Sequence, residues 1–154
     1  MPRGGFLHNR VLLAPVAELL LEFRARVRFE HPVQTDRRIL GYIDLFAILK
    51  DCRIAVEAEC STLRLGNDIR KAQVVNADLL VIVMPDRELA RKAGKIVQTQ
   101  EDEKDRRELF EIWILPLGLA IKRLTARCQL MTFSLATRSL SHQPRKDPET
   151  KARS

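Results

Sequence analysis

Asp78–Met84 reads DLLVIVM, an apolar run closed by Pro85-Asp86. A short run with no polar alternation marks a β-strand covered on both faces, because a half-exposed strand alternates apolar with polar residues. Such a strand needs cover above and below, which points to an α/β arrangement. Upstream, Ile39–Leu49 (ILGYIDLFAIL) is rich in β-branched and aromatic residues, with Gly41 as a possible bulge. Lys50-Asp51-Cys52 is a short connection to a second strand, Arg53–Cys60 (RIAVEAEC). Two strands joined this tightly are expected to pair as an antiparallel hairpin. Downstream, Leu109–Leu117 (LFEIWILPL) holds another buried strand, ended by Pro116 or Gly118.

Helical periodicity falls between these strands. Residues 14–26 carry Pro15 in the first turn and Val16, Leu19, Leu20 and Phe23 at helical spacing. Residues 63–76 follow a Ser61-Thr62 cap, or begin at Asn67 because of Gly66. Residues 86–97 predict a basic helix and 118–130 a final one, with 98–107 polar and exposed. Arg26–Glu30 alternates, whereas His31-Pro32 to Asp36-Arg37-Arg38 reads as a turn or loop. The expected fold is an α/β core with a central mixed sheet of about four to five strands. The hairpin lies at one side, parallel crossovers at the other, and helices flank the sheet. A chain of 154 residues suits one domain, placed at 1–138, with 139–154 as a flexible basic tail.

Composition narrows the class. Lys and Arg number 27 against 20 Asp and Glu, a net charge of +7, which suits a polyanionic partner or a well-solvated basic surface. Cys52, Cys60 and Cys128 form no CxxC pair and stand far from His8, His31 and His142, which argues against a structural zinc site or a disulfide framework. Cys60 is expected to pack as a small apolar residue. Glu18 and Glu22 interrupt the first apolar stretch, and nowhere do 18 apolar residues run together. Neither a signal peptide nor a membrane span is expected, and an intracellular, cytoplasmic protein is.

The chemistry concentrates in residues 41–85. Strand alternation turns Ile54, Val56, Ala58 and Cys60 to one face and Ala55, Glu57 and Glu59 to the other. Asp44 interrupts an otherwise apolar strand and is expected on the face opposite Ile43 and Leu45, so three acids converge on one edge of the sheet. Carboxylates this close repel unless something neutralises them. The simplest neutraliser is a hard divalent cation, Mg²⁺ or Mn²⁺, which activates a water and stabilises charge on a phosphodiester. Lys71, on the following helix with Asn67, Asp68 and Arg70 nearby, can present its ammonium to the same cleft. Ordinary readings stand beside these. Glu57 and Glu59 suit the charged face of an exposed strand, Lys71 a solvated helix, and Glu18 and Glu22 the outer face of an amphipathic one. Arg87, Arg91 and Lys92 suit either a solvated face or, with Arg70, a phosphate-contacting patch. Trp113 reads as core rather than as a base-stacking platform.

The segments GYIDLFAIL, RIAVEAECS and NDIRKAQVVNADLLVIVMP resemble the core of the PD-(D/E)XK nuclease superfamily. The resemblance spans roughly residues 14–130 in element order and implies a restriction-endonuclease-like, three-layer fold. Asp44 matches the first acid and Glu57 the second. Glu59 stands where the family places lysine, an E-x-E variant. Some members carry an acid there, and in others the lysine has moved to the next helix, where Lys71 sits. Glu22 or Glu18 matches an extra acid that many members carry. The resemblance implies a Mg²⁺- or Mn²⁺-dependent endonuclease acting on DNA. Asp44, Glu57, Glu59 and Glu22 would serve as metal ligands and Lys71 as the catalytic cation. A homodimer or a partner subunit would supply target recognition. The alternative it leaves open is a catalytically inactive module that binds nucleic acid or serves in a larger DNA-processing complex.

Overall fold

The computed structural model describes residues 11–103 and 110–140. Its elements run α1 (Ala14–Glu22), β1 (Arg26–Gln34), β2 (Ile39–Leu49), β3 (Cys52–Ala58), α2 (Leu65–Val74), β4 (Leu79–Met84), α3 (Arg87–Glu103), β5 (Glu111–Pro116) and α4 (Leu117–Leu140). The five strands form one mixed sheet in sequence order. β1–β2 and β2–β3 pair antiparallel, and β3–β4 and β4–β5 pair parallel. All six residues of β4 are buried, as its unbroken apolar sequence requires.

The two faces of the sheet carry separate cores. Leu45, Ala47, Ile54, Val56, Val81 and Val83 pack with α1 and α4. Phe46, Ala55, Leu80, Ile82 and Met84 pack with α2 and α3. Both parallel crossovers thus lie on one face, as expected when parallel strands are added in one direction with a fixed hand. The chain is an α/β protein with a single mixed sheet flanked by helices on both sides.

Several sequence expectations need correction. His31-Pro32 belongs to β1, which continues to Gln34. Pro32 lacks an N–H, a deficit that an edge strand tolerates and a central strand does not. Helix α2 begins at Leu65 behind Arg64, with no side-chain cap. Ser61 Oγ instead accepts a hydrogen bond from the Leu63 N–H at 3.4 Å, within the turn before the helix. Cys60 is exposed just beyond β3 rather than packed. Helix α4 runs to Leu140, past the domain boundary placed at 138, and the remainder of the expected tail, 141–154, lies outside the described residues. Among the described residues no helix is long and apolar enough to cross a membrane.

Gly41 has φ +152° and lies where the β1–β2 register shifts, so the expected bulge is present. A second irregularity has more consequence. Glu30 adopts φ +48°, and Ile43 and Leu45 bury into opposite cores, Ile43 with α2 and Leu45 with α1. β2 therefore turns about its own axis at Asp44, and the simple alternation expected there does not hold.

Candidate active site

The β2–β3 ladder ends at Leu45 opposite Val56, whereas β3 stays paired to β4 as far as Ala58. The hairpin therefore opens at Asp44 and Glu57, the next residues along. Two carboxylates take over the hydrogen bonds that the separating strands give up. The Asp44 N–H donates to Glu57 Oε2 at 3.2 Å, and the Ala58 N–H donates to Asp44 Oδ2 at 2.9 Å. Each acid caps a backbone donor of the other strand, which satisfies groups that burial would otherwise orphan.

Helix α2 closes this opening and brings in Lys71. The ammonium lies 2.6 Å from Glu57 Oε1 and 3.1 Å from Asp68 Oδ1, and donates to the Tyr42 carbonyl at 2.9 Å. The ammonium thus faces two carboxylates and one carbonyl. The Lys71 stem passes 3.6 Å from where a Cβ on Gly41 would stand, so the glycine leaves the stem only ordinary contact room. Glu57, Glu59, Asp68 and Lys71 are buried, and Asp44 is half-buried. Lys71 thus bridges Glu57 and Asp68, and Glu59 lies against Asp68 with Arg64 acting on it.

Lys71 offsets only part of the cost of burying these carboxylates. Burial, with Asp44 and Asp68 beside it, pushes the Glu57 carboxyl up to about 9 despite Lys71. Burial and the adjacent Asp68 push Glu59 up to about 8. Asp68 is raised by burial, against the pull of Lys71 and the hydrogen bond to Glu59. Lys71 is itself raised, since Glu57 and Asp68 outweigh its desolvation, and it stays charged. Asp68 Oδ2 is buried with no hydrogen-bond donor when both acids are ionised; a proton held between Glu59 and Asp68 relieves that deficit.

Of the residues singled out in the sequence, Asp44, Glu57, Glu59 and Lys71 are brought together. Glu59 faces Asp68 more than the Asp44–Glu57 opening. Glu22 is not brought to the site. It is exposed at the end of α1, whose buried side chains pack on the face of the sheet away from α2. Glu18 is exposed on the same helix. Arg87, Arg91 and Lys92 are exposed on α3, and Arg70 lines a cleft of about 190 Å³ with Arg38, Ile39, Leu40, Asn67 and Lys71, of which Lys71 touches the acids. Sequence reasoning does not single out Asp68 and Arg38 as site residues. Asp68 carries a signal all the same, since i and i+3 on a helix share a face and Lys71 follows it at that spacing.

The oxygen-rich donor set suits a hard cation. Among the described residues no group of three or more His, Cys, Asp or Glu side chains stands ready to hold one. Asp44 and Glu57, at the opening, are the carboxylates that would offer such an ion oxygens, with water completing its shell. No protein-family model, curated protein or solved structure matches the chain.

Proposed function

We propose that this protein is a metal-dependent phosphodiesterase acting on DNA, with a site of the PD-(D/E)XK type. The observation that carries the reading is Lys71. Its ammonium comes from a separate element and reaches Glu57 where the hairpin opens beside Asp44. That juxtaposition supplies the acid, acid and lysine of the motif despite the E-x-E sequence on β3.

A Mg²⁺ or Mn²⁺ ion bound by Asp44 and Glu57 would polarise the scissile phosphate and make a water acidic enough to attack it. The chain's own groups have distinct tasks. The Ala58 and Asp44 backbone N–H groups fix the two carboxylates against rotation. Lys71 holds Glu57 in place and, by exchanging its longest partner, Asp68 at 3.1 Å, offers a proton to the charge that develops on a phosphate oxygen. Asp68 and Glu59, sharing a proton, form a buried acidic reserve that accepts the proton of an attacking water.

A second reading, a non-catalytic nucleic-acid-binding or assembly module, draws support from the same reciprocal hydrogen bonds, which leave Asp44 and Glu57 with a structural task. Thermal unfolding in increasing Mn²⁺ separates the two. The nuclease reading expects stabilisation of about 2.7 kcal/mol at a hundredfold excess over the dissociation constant, lost in Asp44→Asn. A transition that Mn²⁺ leaves unmoved supports the non-catalytic module.

A further inference from the structure

We infer that the cleft lined by Arg38, Asn67 and Arg70 is a phosphate subsite that seats the substrate strand beside the site of attack. The inference rests on the nuclease reading for the identity of the strand, but not for the cleft's affinity for phosphate. Lys71 belongs to both places. Its stem lines the cleft, and its ammonium lies on Glu57 and Asp68. A strand lying in the cleft thus lies beside the residue that pairs with the acids.

Charge explains why such a subsite is needed. The acid cluster repels a polyanion until a cation offsets it, so binding must come from cations placed beside the cluster. Arg38 and Arg70 are those cations. Both are exposed, and neither forms an ion pair with a carboxylate among the described residues, unlike Lys71 and Arg127. A guanidinium presents a planar fork that matches two phosphate oxygens, and two of them on one cleft hold a phosphate by geometry as well as by charge. Asn67 adds a neutral amide donor. Position also favours a strand over a free anion: Arg38 precedes β2 and Asn67 and Arg70 lie on α2, so the cleft follows the side of the sheet on which the hairpin opens.

The test is fluorescence anisotropy of labelled DNA, single- and double-stranded, with EDTA and no metal, so that cleavage plays no part. The variants are Arg38→Glu with Arg70→Glu, the milder pair Arg38→Gln with Arg70→Gln, Asp44→Asn, and Lys50→Glu as a control at the far end of the hairpin. All are checked by circular dichroism. Removing charge-assisted hydrogen bonds is expected to weaken binding about 10-fold or more in the Gln pair and further in the Glu pair. The slope of log affinity on log salt should fall by about 1 for each phosphate that the variant no longer neutralises. Lys50→Glu is expected to bind like wild type, and Asp44→Asn, with one repelling carboxylate gone, more tightly. Unchanged affinity and slope in the Glu pair overturn the subsite, whatever cleavage assays show. A loss shared equally by Lys50→Glu overturns it too, since the effect is then net charge. Competition by inorganic phosphate as effective, per phosphate, as by an oligonucleotide overturns the strand assignment. Loss in the arginine pairs alone upholds the subsite even if no DNA is cut, which separates its fate from that of the nuclease reading.

Discussion

Two groups of charged side chains in this molecule are built from the same residue types and come out differently. At the edge strand β5, Arg127 donates to both oxygens of Glu111 at 3.0 and 2.8 Å, and Trp113 Nε1 donates to Glu111 at 3.2 Å. The Arg127 and Arg123 guanidiniums stand 5.2 and 5.9 Å from the centroid of the Trp113 ring. One acid meets its cation in water's reach, and each is pushed further into its charged form: Glu111 lies below its ordinary range and Arg127 above, chiefly through their shared hydrogen bonds. At the opening of the hairpin Lys71 pairs with Glu57 and Asp68 largely out of water, and Glu57, Glu59 and Asp68 are pushed toward their neutral forms. Stoichiometry and burial, not residue type, separate the two. The first group is complete as it stands, while the second holds protons that a metal ion would have to displace.

The largest effect should come from removing the central cation. Lys71→Met leaves buried acids without their partner, a loss of about 3–5 kcal/mol by the measure of other broken buried pairs. Urea unfolding checks it, and the deficit should be greater at pH 9 than at pH 6, where protons substitute for the lysine. A loss below about 1 kcal/mol at both pH values, the range of exposed ion pairs, would place Lys71 among ordinary surface lysines.

Next comes the pH dependence of the metal-free protein. Glu57 and Glu59 keep protons in the folded state up to about 9 and about 8, whereas unfolded they release them near 4.5. Between those limits the folded state binds more protons, so stability is full below about 4.5 and declines as pH rises toward 9. Each proton of difference is worth about 1.4 kcal/mol per pH unit. Glu57→Gln should flatten that decline. Metal affinity should rise over the same range, because the ion must displace protons. A stability profile flat from about pH 5 to 9 would break the contrast between the two groups.

The smallest effect belongs to β5. Arg127→Met should cost no more than about 1 kcal/mol, and the cost should vanish in high salt because the pair is exposed. A larger, salt-insensitive loss would show that the β5 group is no mere surface pair.

Much of this arrangement is legible in the chain. The apolar run at β4 and the tight connection after β2 dictate a mixed sheet with a hairpin. Alternation along β3 places Glu57 and Glu59 on one face, both buried as a site demands. Asp44 is legible because a charge within an apolar strand needs a partner. What escapes depends on single backbone angles or on how elements dock. Glu30 in a left-handed conformation and the turn of β2 at Asp44 break an alternation that sequence can only assume. Asp68 and Arg38 become site residues through the angle at which α2 lies against β2. Trp113, read as core, is half-buried under two arginines, because β5 is an edge strand and nothing in its apolar sequence says so.

The central claim is that the open end of the hairpin cuts phosphodiester bonds. It is tested most directly by incubating supercoiled, linear and branched DNA with the protein in Mg²⁺ or Mn²⁺, beside Asp44→Ala and Glu57→Ala. Metal-dependent cutting by the wild type, abolished in both variants while their circular dichroism is unchanged, is the predicted result. Absence of cutting on every substrate, or cutting that survives in Asp44→Ala, would contradict it.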